Sequence, residues 1–282
     1  MKILHHVAEV RQQVADWRRA GKTIALVPTM GNLHPGHLSL VEVARQHADV
    51  VVVSIFVNPT QFGPNEDFDS YPRTLEADAA QLRDNGVQLL FAPAVEEIYP
   101  LGENRTWVEV DQLGNHLCGA NRPGHFRGVS TVVSKLFHIV WPDVAVFGEK
   151  DFQQLAILRR MTEELLFPIR IIGAPTHREA DGLARSSRNG YLSAAERARA
   201  PLLQQHLREA RQAIENGERD YRALEQRITA SLTEQGFAVD YVAIANATTL
   251  APAQPEDRQL VIAAAARLGK PRLIDNLTIS LP

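Results

Sequence analysis

The run Val50-Val-Val-Val-Ser-Ile-Phe-Val57 narrows the choice of fold more than any other stretch of this chain. A strand with one face in water alternates apolar and polar residues. A strand covered on both faces reads as a nearly unbroken apolar run, and such strands belong to parallel sheets. Thr23–Val27 has the same character, and between the two lies His37–His47, with Leu38, Val41 and Ala44 at helical spacing. Strand, helix and strand make a β-α-β unit of ordinary size. The alternation continues with helices expected at Glu76–Asn85, Gly128–Val140 and Phe152–Leu165, and strands at Leu89–Phe91, Val144–Phe147 and Ile169–Ile172. A first helix over residues 7–20 is closed by Gly21. This order predicts an α/β fold, a Rossmann-like open parallel sheet with helices on both faces. Ligands of such sheets bind beyond the carboxyl ends of the strands.

After about residue 176 the texture changes. Ser193-Ala-Ala-Glu196 is a capping-box signature, Pro201 should interrupt the helix that follows, and a second helix is expected near 220–234. Strand-like runs stand at Tyr241–Ile244, Leu260–Ala266 and Leu273–Ile279. The expected division is 1–176, a nucleotide- and substrate-binding domain, and 177–282, a smaller C-terminal α+β domain acting as a lid. The 282 residues, 45% apolar and 22% charged, suffice for that much core. A net charge of −3 without a basic tail argues against nucleic-acid binding. The single cysteine, Cys118, excludes an intrachain disulfide. No signal-peptide pattern opens the sequence and no apolar run is long enough to span a bilayer, so a soluble, cytoplasmic protein without membrane association is expected.

Four constellations carry chemistry. Pro28-Thr-Met30-Gly31-Asn-Leu-His34-Pro-Gly36-His37 joins an apolar strand to a helix. A helix N-terminus offers unpaired N–H groups and partial positive charge, which suits phosphate, and the glycines allow close backbone approach. A tight turn with two solvent-facing histidines, or a metal site short of further ligands, are the alternatives. Phe56-Val-Asn58-Pro-Thr-Gln61-Phe62 combines neutral hydrogen-bonding groups with apolar walls, fit for a small branched hydroxy acid. Gly148-Glu149-Lys150-Asp151 again follows a strand; a lysine in a first helical turn opposes the helix dipole and asks for an anionic partner. Arg185-Ser186-Ser187-Arg188 sets hydroxyls beside guanidinium groups, as a phosphate clamp requires, although such loops are also common on surfaces.

The string from Pro28 to His37 resembles the His-x-Gly-His signature of the adenylyl-transferring superfamily, and in its full length the pantothenate synthetase family. Gly148–Asp151, Asp181–Asn189, Arg122-Pro-Gly-His125-Phe-Arg127 and Tyr71-Pro-Arg73-Thr74 resemble strings of the same family. The resemblance implies a ligase forming an amide bond between pantoate and β-alanine, with ATP as co-substrate, Mg²⁺ as its ion and a homodimer as its assembly. It implies ATP contacts at Met30, Gly31, His34, Gly36, His37, Gly148, Glu149, Lys150, Asp151, His177, Arg185, Ser186, Ser187 and Arg188. Of these, His34, His37, Lys150 and Arg188 carry catalysis. It places pantoate against Gln61, Gln154, Asn58, Phe56, Val132 and Val133, and makes Asp78 a metal-ligand candidate. Segments 60–75 and 177–190 would close over the site. Arg185, His177 and Ala77 depart from the family pattern, which has an aliphatic or Met residue, a small apolar residue and, in some members, a second acid there. A small-molecule nucleotidylyltransferase of the same superfamily is the alternative; it would share the histidine pair without needing the acid pocket around Asn58, Gln61 and Gln154. A binding module without turnover is a further reading, told apart by ATP binding without pyrophosphate release.

Overall fold

In the computed structural model, which describes residues 1–64, 66 and 68–282, the apolar strands divide their side chains between two cores on opposite sides of one sheet. Asn65 and Asp67, within the 60–75 segment expected to close over the site, lie outside the described residues. In chain order the first elements are β1 (Lys2–Leu4), α1 (Val7–Arg19), β2 (Ile24–Thr29), α2 (Pro35–Arg45), β3 (Val50–Ile55), α3 (Leu75–Asp84), β4 (Leu89–Phe91), α4 (Val95–Ile98) and α5 (Leu117–Asn121). Then follow α6 (His125–Val140), β5 (Val144–Gly148), α7 (Phe152–Glu164), β6 (Arg170–Ala174), α8 (Ala194–Arg199), α9 (Leu202–Glu215), α10 (Tyr221–Glu234), β7 (Ala238–Asn246), β8 (Gln259–Arg267) and β9 (Arg272–Ser280). None of the described helices is long and apolar enough to cross a membrane.

The first six strands form a parallel sheet in the order β1-β4-β3-β2-β5-β6. Ile24, Leu26, Val50, Val52, Leu89, Phe91, Ala145 and Phe147 enter one core, with Val10 and Val14 of α1, Val129, Val133 and Phe137 of α6, and Leu155 and Leu158 of α7. Their immediate neighbours Ala25, Val27, Val51, Val53, Leu90, Val144 and Val146 enter the other, with Val41 and Ala44 of α2 and Ala79 and Leu82 of α3. Period-two alternation with both faces covered explains why these runs carry so few polar residues. The edge strand β1 was not legible in the sequence: it has three residues, and two of them are exposed.

The strand order reverses at β2, with β3 on one side and β5 on the other, and such a switch point leaves a crevice at the strands' carboxyl ends. Pairing of β2 with β3 runs from Ile24 to Thr29, whereas pairing with β5 involves Ala25 and Leu26. The turn read from the sequence at Pro28 therefore begins two residues later than expected. Pro28 has no N–H to give, and it falls where the β5 side has already parted.

The second compact unit contains residues 115–121, 150–153 and 176–282. Its core is the antiparallel sheet β7-β8-β9, packed by Leu203, Leu207 and Ala210 of α9 and Leu224, Ile228 and Leu232 of α10. Ser193 and Glu196 form the reciprocal cap of α8, and Pro201 stands between α8 and α9. A single cut in the chain near 176 misses the two short segments, because they join this unit through tertiary bonds. The Gln153 side chain accepts from Cys118 N at 3.0 Å and donates to His116 O at 2.7 Å, and Cys118 Sγ lies 3.1 Å from Tyr241 Oη.

Candidate active site

The chain leaves β2 through Met30, then takes two left-handed residues, Gly31 at φ 82° and Asn32 at φ 51°. Glycine and asparagine are the residues that adopt this conformation at least cost. A Cβ on Gly31 would stand 3.0 Å from Ile55 Cγ2 and 3.1 Å from Asp78 Oδ2. The turn delivers His34 to the N-cap of α2, with Pro35 in the first helical position. His34 Nδ1 accepts from Gly36 N at 3.1 Å, His37 Nδ1 accepts from His34 N at 3.3 Å, and the two rings lie 4.1 Å apart. An imidazole that accepts at Nδ1 carries its proton on Nε2 in the neutral form. The cap therefore sets the tautomer of both rings and makes each Nε2 a donor.

Asp78, a candidate metal ligand from the sequence, has another task. It is 1% exposed. Its Oδ2 accepts from Asn32 N at 2.9 Å and Thr74 Oγ1 at 3.1 Å, and its Oδ1 accepts from Leu33 N at 2.8 Å. Both oxygens are committed to fixing the turn ahead of His34, and a cation there would displace those donors. The departing Ala77 beside it is exposed.

Beyond β3, Asn58 is 1% exposed and its amide is saturated. Nδ2 donates to Gln61 Oε1 at 3.0 Å and Gly128 O at 3.3 Å, while Oδ1 accepts from Tyr99 Oη at 2.7 Å and Thr60 Oγ1 at 3.0 Å. Asn58 thus shapes the loop and leaves no group for a substrate, contrary to the sequence-based expectation. Gln61 is held at both ends: Nε2 donates to Met30 Sδ at 3.2 Å, and its carbonyl accepts from His125 Nδ1 at 2.8 Å and Arg122 Nη2 at 3.4 Å. The Met30 and Gln61 strings, 31 residues apart, meet through that bond. Arg122 also pairs with Glu66, whose carboxyl burial would push up; the hydrogen bonds and charge of Arg122, joined by a Gly63 backbone bond and His125, hold it below its usual value. Phe56, Val132 and Val133 are all less than 7% exposed and belong to the core beneath this loop.

Gly148 ends β5, and Glu149–Asp151 form a single 3₁₀ turn before α7. Gln154, in the first turns of α7, is half-buried, whereas its neighbour Gln153 is spent on His116 and Cys118.

In the second unit the Lys150 side chain is 20% exposed, with its ammonium 3.9 Å from Asp151 Oδ2. Residues 177–185 close a small hairpin: Arg185 N donates to His177 O at 3.0 Å, and Arg178 and Ala184 form a bridge. The departing Arg185 is paired with Glu179 at 2.8 Å, so its charge is balanced inside the hairpin. Ser186 then caps the 3₁₀ turn Ser187–Tyr191, its Oγ accepting from Arg188 N at 3.2 Å. Sequence reasoning missed Tyr99 and the ties of Arg122 and His125 to the Gln61 carbonyl. These contacts join residues 41 to 64 positions apart, and no local pattern marks them.

The profile of the family described as Pantoate-beta-alanine ligase matches residues 2–278. A pantothenate synthetase of Alcanivorax borkumensis is 66% identical over 281 residues, covering 100% of this chain and 99% of its own. One from Neisseria meningitidis is 55% identical over 282 residues, covering 100% of both. The crystal structure of pantothenate synthetase from Thermus thermophilus superposes with a TM-score of 0.92 at 46% identity, over 100% of each chain. That of the ligase from Francisella tularensis, complexed with beta-gamma ATP and beta-alanine, gives 0.82 at 34% identity, over 98% of this chain and 97% of that one.

Proposed function

The chain belongs to the pantoate–beta-alanine ligase family, and we propose on that premise that it condenses (R)-pantoate with β-alanine, consuming ATP and releasing pantothenate, AMP and pyrophosphate. The observation that supports this reading best is the histidine pair. Two rings whose Nδ1 atoms are occupied by the cap offer Nε2–H donors at a helix N-terminus, beside the crevice where β2 and β5 part.

In the first step a carboxylate oxygen of pantoate attacks the α-phosphorus of ATP. The bond from that phosphorus to the bridging oxygen breaks, and pyrophosphate leaves with the electron pair. His34 and His37 donate to the phosphoryl oxygens as charge grows on them. Lys150, Ser186, Ser187 and Arg188 hold the departing phosphates. The nucleotide rests against Met30, Gly31, Gly36, Gly148, Glu149, Asp151, His177 and Arg185. Gln61 and Gln154 orient pantoate, with Phe56, Val132 and Val133 as apolar backing. In the second step the amine of β-alanine attacks the acyl carbon, the bond to AMP oxygen breaks, and the nitrogen gives up its proton. Catalysis here is placement and charge stabilisation, and no side chain need become covalently attached.

Magnesium enters this reading as the companion of the ATP phosphates. Among the described residues no group of three His, Cys, Asp or Glu side chains is placed to hold an ion, and Asp78 is committed to backbone N–H groups. The steps above use no protein-held metal. The family resemblance also supports a cytoplasmic homodimer, and sedimentation of the purified chain tests the dimer.

Incubation with ATP, magnesium and pantoate should release pyrophosphate, and AMP should appear only when β-alanine is added. A stable dinucleotide without AMP would favour a nucleotidylyltransferase instead. His37→Ala should slow pyrophosphate release about 10²–10³-fold, while removing one cap bond lowers stability by about 1 kcal/mol. A variant that releases pyrophosphate at the unaltered rate would remove His37 from the chemistry.

A further inference from the structure

β9 carries two buried polar residues in succession, Asp275 at 4% and Asn276 at 7% exposure. Across the ladder they face Ala264 and Ala263, which offer no polar side chain. Buried polar groups in an apolar sheet require partners, and these two find theirs outside the sheet. Asp275 receives both arms of Arg178, Nη1 to Oδ2 at 2.6 Å and Nη2 to Oδ1 at 2.9 Å. The same Arg178 Nη1 donates to Gly182 O at 3.1 Å, so the pair pins the 177–185 hairpin from which Ser186, Ser187 and Arg188 continue. Asn276 Nδ2 donates to the Lys150 carbonyl at 2.8 Å, and Asn276 N donates to Asp275 Oδ1 at 2.7 Å. Two adjacent residues of one strand thereby hold both segments that the proposed reaction sets against the ATP phosphates.

We propose that Asp275 and Asn276 are positioning residues for ATP: they fix the backbone of Lys150 and the base of the Ser186–Arg188 turn in a common frame. This rests on the reading that Lys150 and Ser186–Arg188 hold phosphate. Packing alone does not account for the pair. Apolar residues at these two buried positions of the edge strand β9 would satisfy the core, whereas both side chains here are directed at the Lys150 backbone and the 177–185 hairpin.

The test is Asn276→Leu, of similar size but with neither donor nor charge, assayed for each substrate separately. The kcat/KM for ATP should fall about tenfold, the value of one well-formed hydrogen bond, with the KM for pantoate and for β-alanine unchanged. Should that variant fail to fold, Asn276→Ser, too short to reach the Lys150 carbonyl, measures the same quantity. Lys150→Ala is run in parallel. If it impairs ATP use while Asn276→Leu or Asn276→Ser leaves ATP parameters unaltered, the positioning role is overturned and the proposed function stands. An even loss across all three substrates, as a generally loosened unit would give, also overturns it. If Lys150→Ala itself leaves ATP use unaltered, the phosphate role of Lys150 fails, and the inference built on it fails too.

Discussion

Replacing Asp78 by alanine is expected to destabilise the protein by about 2–6 kcal/mol, because the N–H groups of Asn32 and Leu33 lose a buried acceptor at roughly 1–3 kcal/mol each. Thermal denaturation should register a fall on the order of 10 °C. The second consequence is catalytic. The Asp78 carboxylate holds the left-handed turn that sets His34 at the N-cap of α2, and a reactive geometry displaced by an ångström loses on the order of 10²-fold in rate. Asp78→Asn separates this role from metal binding. An anchor variant should melt earlier yet need the same magnesium concentration for half-maximal rate. A variant that melts as before and needs more magnesium would restore Asp78 as a metal ligand.

Gly128→Ala should displace the loop that carries Gln61. A Cβ there would lie 2.6 Å from the Thr60 carbonyl carbon and 2.9 Å from Gln61 Cα, and closer still to the Thr60 carbonyl oxygen. These are backbone atoms, so relief requires moving α6 or the loop that carries Gln61. Overpacking of this kind costs about 1–3 kcal/mol. The loop shift should also break the Asn58 bonds to Gly128 O and Gln61 Oε1. The expected kinetic signature is a rise in the KM for pantoate with a fall in kcat, roughly 10²-fold together, while ATP affinity holds within a few-fold. Unaltered pantoate kinetics would show that the close approach of α6 to the loop does not position Gln61.

Much of this architecture was written locally. The two-core sheet follows from runs such as Val50–Val53, whose successive residues enter opposite cores, and the capping box at Ser193–Glu196 formed where its spacing placed it. The histidine pair was legible as a motif, but its tautomers were not, since they depend on which nitrogen meets Gly36 N and His34 N. Asn58 and Asp78 show the limit more sharply. Both are polar residues in strings that resemble binding motifs, and both are spent on backbone and side-chain partners. Whether a polar side chain faces a ligand or supports a loop is decided by tertiary contacts, and here those partners lie up to 70 residues away in the sequence. Arg185 is the converse case: an unexpected charge for the family is balanced by Glu179 in the same hairpin.

In the proposed reaction a pantoate carboxylate oxygen forms a bond to the α-phosphorus of ATP. Pantoate labelled with oxygen-18 in both carboxylate oxygens, turned over with ATP and β-alanine, should give AMP carrying one label and pantothenate keeping the other. Label in inorganic phosphate, or AMP free of label, would contradict the adenylate and point to activation by another route.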